Sequence, residues 1–298
     1  MFTFPFTNFS GGVAATPAMT IKIINSSADF DLRSFGTVDY FVDWDDGNDE
    51  TSNLNVLTHT YANGTYYIEV EPTGSYRPYY NNTGVDAEQV RIVDVKAGFD
   101  FGASINKGFY GCVNMSDFDC VFSASSNVLD FDTCWRNCSL LSSFPVIDTS
   151  AGTDFYLTWY NCNGLTSFPA LDMSSATTVS YAWWECSSMT SIGLSDFSSC
   201  INFVGSWGNC DVLATVPANM FDNTGTLNTN AFSTAFTACA LTAQSIENIL
   251  VSLDTNGASG ITLTISGGTN AAKTTWSTAA TTAYDNLIVK SWSIAYNA

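Results

Sequence analysis

One short signature recurs through the middle of this chain and limits what it can fold into. Six segments carry an aromatic residue followed three positions later by a cysteine: Phe109–Cys112, Trp135–Cys138, Trp159–Cys162, Trp183–Cys186, Trp207–Cys210 and Phe236–Cys239. The cysteines advance by 26, 24, 24, 24 and 29 positions. Three residues beyond the cysteine stands Met115, Leu141, Leu165, Met189 or Leu213, and three further on Phe118, Phe144, Phe168, Ile192 or Val216. The last copy drifts to Thr242 and Ser245 in those two slots, as an edge repeat would. A unit of this length cannot bury an apolar face alone, so copies must pile up and share a continuous core.

In such a stack the aromatic, cysteine, Leu/Met and Phe/Ile positions become columns of like residues. Parallel pairing at about 4.8 Å per coil predicts a core about 29 Å long for six coils. The repeat cysteines then read as small buried apolar residues. Zinc is disfavoured, because the chain has one histidine, no C-x2-C pair, and a thiol only every 24 residues or so. The chain has nine cysteines, an odd number, which favours reduced thiols over a disulfide scaffold. Cys120, Cys134 and Cys200 fall outside the signature and receive no role from it.

The string aromatic-x-x-Cys-x-x-Leu-x-x-Phe-Pro-x-Leu-Asp-x-Ser resembles the BspA-like leucine-rich repeat. Trp159-Tyr-Asn-Cys-Asn-Gly-Leu-Thr-Ser-Phe-Pro-Ala-Leu-Asp-Met-Ser174 follows it nearly throughout. The resemblance implies a solenoid over residues 99–240, with binding surfaces and no catalytic residues. Similar repeats occur in surface adhesins and in virion proteins of phages.

Residues 1–98 have another texture. Met19–Ile23, Val38–Trp44 and Tyr66–Val70 alternate apolar with polar, and Asp46-Gly47, Asn63-Gly64 and Thr73-Gly74 supply turns. Short strands at this spacing predict a β-sandwich. Val42-Asp-Trp-Asp-Asp-Gly47 with His59-Thr-Tyr61 and Gly64-Thr-Tyr66 resembles a PKD-type domain, which implies a spacer or interaction module. The acidic group Asp43, Asp45, Asp46, Asp49 and Glu50 reads as a solvated hairpin tip, with a weak calcium site as the alternative. As an EF-hand loop it would place Gly47 one position early and Leu54 where a bidentate Glu is needed. His59 reads as a structural hydrogen-bonding residue.

Residues 241–298 change texture again. Ile246, Ile249, Leu250 and Leu253 predict an amphipathic helix started by Thr242. Gly260–Ile265 alternates as a strand, Trp276, Ala279, Ala280, Ala283 and Leu287 repeat at helical spacing, and Ser291–Tyr296 alternates as a last strand. This β-α-β unit reads as a C-terminal cap that closes the stack's open edge. The whole is therefore expected to be mainly β with some α: an Ig/PKD-like sandwich, a leucine-rich-repeat solenoid and a capping unit.

The charge balance narrows function. Nine Lys and Arg against 28 Asp and Glu give a formal charge of −19, which repels phosphate backbones and argues against a nucleic-acid partner. No run of 18 apolar residues occurs, so membrane insertion by a helix is not expected. The sequence has no G-x-S-x-G elbow, phosphate loop, dinucleotide fingerprint or HExxH, and no catalytic, metal or cofactor residues are expected. Asp148, Asp172 and Asp196, each ten places after a repeat cysteine, read as turn markers.

The opening Met1-Phe-Thr-Phe-Pro-Phe lacks the basic segment of a Sec-type leader. Taken with reduced thiols and a Ser/Thr/Asn/aromatic exterior, it leads to the expectation of a non-enzymatic component of a phage virion surface. Such a tail-fibre, receptor-binding or head decoration protein would assemble in the host cytoplasm. Its partners would be other virion proteins and a host surface glycan or protein. A homo-oligomer fits fibre proteins, although no heptad run marks one. The alternative is an extracellular or cell-surface adhesin of the same repeat family. Tyr156, Tyr160, Tyr181 and Trp184, aromatic residues outside the columns, are the candidate partner-binding residues, with core residues of the convex turn as the equal alternative.

Overall fold

The computed structural model describes residues 18–25, 29–35, 38–80, 88–121, 125 and 127–298. The protein is mainly β, with twelve strands and two long helices among the described residues.

In the N-terminal region the strands are β1 (Met19–Asn25), β2 (Asp29–Arg33), β3 (Tyr40–Asp43), β4 (Asp49–Ser52), β5 (Val56–Thr60), β6 (Gly64–Pro72) and β7 (Val90–Val95). Alternation decides which side chains turn inward: in β1, Ile21 and Ile23 are buried while Ile24 is exposed. β1 lies between β6 and β7, both antiparallel to it, with Ile21 opposite Ile68 and Val93. β2 and β5 form a separate antiparallel pair, with Leu32 opposite Leu57. Residues 1–17, the start of the expected sandwich, lie outside the described residues.

The main sheet runs β4-β3-β6-β1-β7-β8, and its last strand, β8 (Asp117–Cys120), belongs to the first repeat. β8 pairs in parallel with β7, Val93 opposite Phe118 and Val95 opposite Cys120. The sheet therefore continues across position 98, and its edge hands over to the stacked repeats.

Successive repeats stack in the order of the sequence. The column aromatics lie face to face: Trp135 on Trp159 at 5.8 Å, Trp159 on Trp183 at 5.2 Å and Trp183 on Trp207 at 5.5 Å, all within 11° of parallel. Phe118, Phe144 and Phe168 form a second stack, edge-on to the tryptophans. A third column, Ile105, Phe131, Phe155, Val179, Phe203 and Phe232, stands four residues before the first and is buried throughout. Aromatic pairs of this geometry contribute about 0.5–1.5 kcal/mol each beyond their area.

The backbone departs from the expected parallel strands. Among the described residues only β9 (Ser167–Phe168) and β10 (Ser191–Ile192) pair as strands between repeats, supplemented by single bridges such as Asp130 to Asp154 and Asp154 to Thr178. Most inter-repeat bonds come from a looped segment. Phe131, Thr133, Trp135 and Asn137 donate their N–H groups to Asp154, Tyr156, Thr158 and Tyr160 of the next repeat. The residues between close back on themselves, Cys134 on Phe131, Arg136 on Thr133 and Cys138 on Trp135. This path requires two left-handed residues per repeat, at 107 and 111, 133 and 137, 157 and 161, 181 and 185, 205 and 209, and 234 and 238. Gly111, Asn137, Asn161 and Asn209 suit that conformation, whereas Leu157, Tyr181 and Glu185 adopt it at a cost of about 1–2 kcal/mol each.

The C-terminal region extends the stack. Helix α1 (Ala243–Asn256) starts at Thr242, whose hydroxyl accepts from Ser245 N, and stops at Gly257 with φ 82°. β11 (Thr262–Ile265) and β12 (Ser293–Tyr296) pair in parallel around α2 (Thr278–Val289), and Leu263 bridges to Phe232 of the last repeat. Helical spacing overreached at one end. Trp276 lies before α2, after a 3-10 turn over Lys273–Thr275, and Ala279 is exposed, so α2 buries Ala280, Ala283 and Leu287 instead. No helix among the described residues is long and apolar enough to cross a membrane.

Candidate recognition surface

The columns decide which side chains point outward. The residue after the column aromatic is half-buried rather than in the core in four successive repeats, giving an outer row of Tyr110, Arg136, Tyr160 and Trp184. The Arg136 guanidinium lies over both neighbouring rings, 5.4 Å from Tyr110 and 4.9 Å from Tyr160. Trp184 donates its indole N–H to Glu185 at 3.1 Å. Glu185 also lies near the Tyr160 hydroxyl, whose pKa is raised by burial first and by this neighbouring carboxylate next. Tyr181 meets Trp184 at 5.3 Å and Tyr156 at 6.4 Å, both edge to face.

All four aromatic residues expected from the sequence are thus joined on one outer face. Their order is Tyr156, Tyr181, Trp184 and, through Glu185, Tyr160. Tyr156 is 41% exposed and the other three are half-buried, so none belongs to the core.

Glycine makes this packing fit. A Cβ at Gly208 would lie 2.2 Å from the Trp184 ring, and one at Gly205 would lie 2.5 Å from the Tyr181 ring. The two rings therefore rest on bare backbone of the following repeat. Beside them opens a shallow depression of about 320 Å³, lined by Asn161, Asn163, Glu185, Ser187, Asn209 and Asp211. Asn161 donates to the Asn137 side chain at 3.1 Å, so the amides form a partial column of their own. A larger open depression, about 550 Å³, lies between residues 224–227 and 256–259 but carries neither a ring nor a charged group. Stacking faces beside amides and carboxylates make the smaller one the better recognition surface.

Sequence reasoning overlooked Glu185 and Arg136. A signal for Glu185 was present: its slot in the repeat reads Gly111, Asn137, Asn161, Glu185, Asn209, Ala238, and Glu stands there with φ 63°. A costly conformation held by a residue that bonds Trp184 and neighbours Tyr160 points to a function for it.

The acidic hairpin and His59 are structural. Asp43 accepts from Asp45 N, Asp46 from Asn48, and Asp45 from Tyr67 N, while Glu50 takes the Trp44 indole N–H. His59 Nε2 lies 2.8 Å from Asp46 and its ring stacks on Trp44 at 4.7 Å. Burial alone would raise the Asp46 pKa, but bonds from His59 and Asn48 outweigh it and hold the carboxyl below its ordinary value. Both oxygens of Asp46 and one each of Asp43, Asp45 and Glu50 are taken by these donors. Among the described residues no three His, Cys, Asp or Glu side chains are grouped to hold a metal.

Asp148, Asp172 and Asp196 each accept from the backbone N–H two residues on, as turn markers should. A second such series, unnoticed in the sequence, opens each coil: Asp130, Asp154 and Asn202 bond to the N–H of Asp132, Tyr156 and Val204.

All nine cysteines are buried and free. The repeat thiols do more than fill space. Cys138, Cys162, Cys186, Cys210 and Cys239 donate to the carbonyl of the preceding repeat's column aromatic at 3.0–3.2 Å. Cys134 shares its slot with Thr158 and Ser206, whose hydroxyls also bond to the repeat before. Cys200 stands in a slot of small buried residues with Gly152 and Ala176. Burial pushes the Cys186, Cys200 and Cys239 thiols up to about 12, so in the folded chain they stand as neutral, protonated thiols.

Comparison with protein-family models, curated proteins and solved structures finds no match for the chain.

Proposed function

We propose that the chain is a non-enzymatic recognition protein of a virion surface. In this reading a BspA-like leucine-rich-repeat solenoid presents the strip of Tyr156, Tyr181, Trp184, Glu185 and Tyr160, and a PKD-like sandwich joins it to other virion proteins. The observation that carries the reading is the continuity of that strip: rings from two adjacent repeats around one carboxylate, beside an amide-lined depression. Sugar rings present C–H faces to aromatic side chains and hydroxyls to amides and carboxylates, so a host surface glycan suits it. The formal charge of −19 favours neutral glycans over anionic ones. The free thiols favour folding in a reducing compartment, as for a particle that assembles in a host cytoplasm. Under this reading the protein is a tail-fibre, receptor-binding or head decoration component.

Binding of the purified chain to neutral host-surface polysaccharide tests the strip. Trp184→Ala and Tyr181→Ala should each weaken binding at least tenfold, as truncation of an aromatic anchor commonly costs 2 kcal/mol or more. Binding equal to that of the unaltered chain would remove the strip from consideration. Immunogold labelling of lysate particles tests location: gold at the tail or head supports the virion reading, and unlabelled particles favour a cell-surface adhesin.

A further inference from the structure

The C-terminal region holds an arrangement that the recognition strip does not use. Trp276, Tyr284 and Tyr296 meet pairwise at centroid distances of 5.8, 5.5 and 5.5 Å, with interplanar angles of 63°, 59° and 85°. They come from three separate places: the residue after the 3-10 turn, helix α2 and strand β12. Steep angles between all three pairs make the rings the walls of an open box.

The Lys273 ammonium occupies that box, 3.5 Å from the Tyr284 centroid, 5.0 Å from Tyr296 and 5.9 Å from Trp276. In a chain with 28 acidic residues, Lys273 has no carboxylate partner among the described residues. Ring faces alone hold its charge. The walls are positioned by other means. Trp276 is buried and donates its indole N–H to Ala271 O at 3.3 Å, and its backbone N–H bonds to Lys273 O. Tyr284 is set by α2, and Tyr296 by the β11–β12 pairing.

We propose that this box is a binding site for an alkylated ammonium group of the choline type, with Lys273 as its resident plug. A trimethylammonium group makes no hydrogen bonds to water and loses little on entering a ring-lined box. A primary ammonium, by contrast, is strongly hydrated and regains that hydration when it leaves on its flexible four-carbon stem. The exchange therefore favours the alkylated ligand. With no carboxylate in the box, selection rests on the ring faces, and binding should change little between low and high salt.

Titration of the full-length chain with tetramethylammonium chloride, followed by calorimetry and by the ring-proton shifts of Tyr284 and Tyr296, tests the proposal. Lys273→Ala should bind about fivefold or more tighter than the unaltered chain, because the site no longer has to be emptied first. Adding Tyr284→Ala to that variant should abolish the binding. Phosphocholine in place of tetramethylammonium should give the same ranking of variants. If Lys273→Ala does not fold, Lys273→Met keeps an apolar stem over the rings and carries the same comparison. Equal affinity with and without Lys273, or binding that survives loss of Tyr284, would overturn the proposal and leave Lys273 as a structural clasp.

Discussion

The N-terminal sheet and the repeat stack solve the same burial problem by opposite means. In the sheet each strand is unique, and partners far apart in sequence meet: β1 pairs with β6 and β7, about 45 and 70 residues on. Trp44 is buried there by a bespoke group, His59, Tyr61 and Glu50. In the stack the column residues are flanked by their counterparts one repeat away, so Trp159 lies between Trp135 and Trp183. A sheet of this kind concentrates its specificity in a few irreplaceable partners, whereas a stack distributes it among near-equivalent neighbours. β8 couples the two, since it is an edge strand of one and part of the first coil of the other.

The largest test of this contrast is the loss of one large ring from each region. Trp159→Ala and Trp44→Ala should each cost about 3–5 kcal/mol in denaturant unfolding. Hydrogen exchange should separate them. Loss of Trp159 should deprotect amides in the repeats on both sides, because both adjoining rings lose a face. Loss of Trp44 should deprotect the β3–β4 hairpin and β5 while the repeats stay protected. Equal spreading in both variants would break the comparison.

A smaller effect is expected from the thiol column. Cys162→Ala removes the donor to Trp135 O, but that carbonyl keeps its bond from Cys138 N, so the cost should be about 1 kcal/mol. Before unfolding, a thiol reagent should modify none of the nine cysteines, and after unfolding all nine. Fast modification in the native state would contradict the burial of the column.

The pH dependence should be smaller still and should involve both regions. Burial raises the carboxyls of Glu69 and Asp117 in the sheet and Asp132 in the stack above their ordinary values, with neighbouring carboxylates adding to it. The folded state therefore holds these protons more tightly than the unfolded chain, and stability rises as pH falls from neutral toward the carboxylate range. Asp172, bonded by the Ser174 side chain and backbone, and Asp46, bonded by His59 and Asn48, are shifted downward. Their contribution is present above the unfolded carboxyl value and is lost as pH falls through the folded one. Thermal unfolding against pH should give a maximum on the mildly acidic side; a midpoint that rises steadily to neutral pH would contradict it.

Much of the fold was legible because a periodic sequence reports its neighbours directly. The aromatic and cysteine spacing revealed the columns, and the spacing of Ile246, Ile249, Leu250 and Leu253 with Thr242 revealed α1 and its cap. The third column was harder to read, since Ile105, Phe131, Phe155, Val179, Phe203 and Phe232 vary too much in residue type. The left-handed path was missed for a different reason. Leu157, Tyr181 and Glu185 contradict local preference, and bonds to the next repeat keep them in place. Of the proposed recognition strip, the four aromatic residues could be picked out, but their arrangement around Glu185 could not.

The sequence by itself determined that repeats of about 24 residues must stack and that their thiols would be buried, because an apolar slot repeated at constant spacing can only be shielded by its own copies. Tertiary structure decided the rest. The inter-repeat bonds that outweigh left-handed strain, the rings resting on Gly205 and Gly208, and the box around Lys273 all depend on distances between residues about 10 to 30 positions apart. Such distances are set by how the chain closes on itself, and no local preference of the residues specifies them.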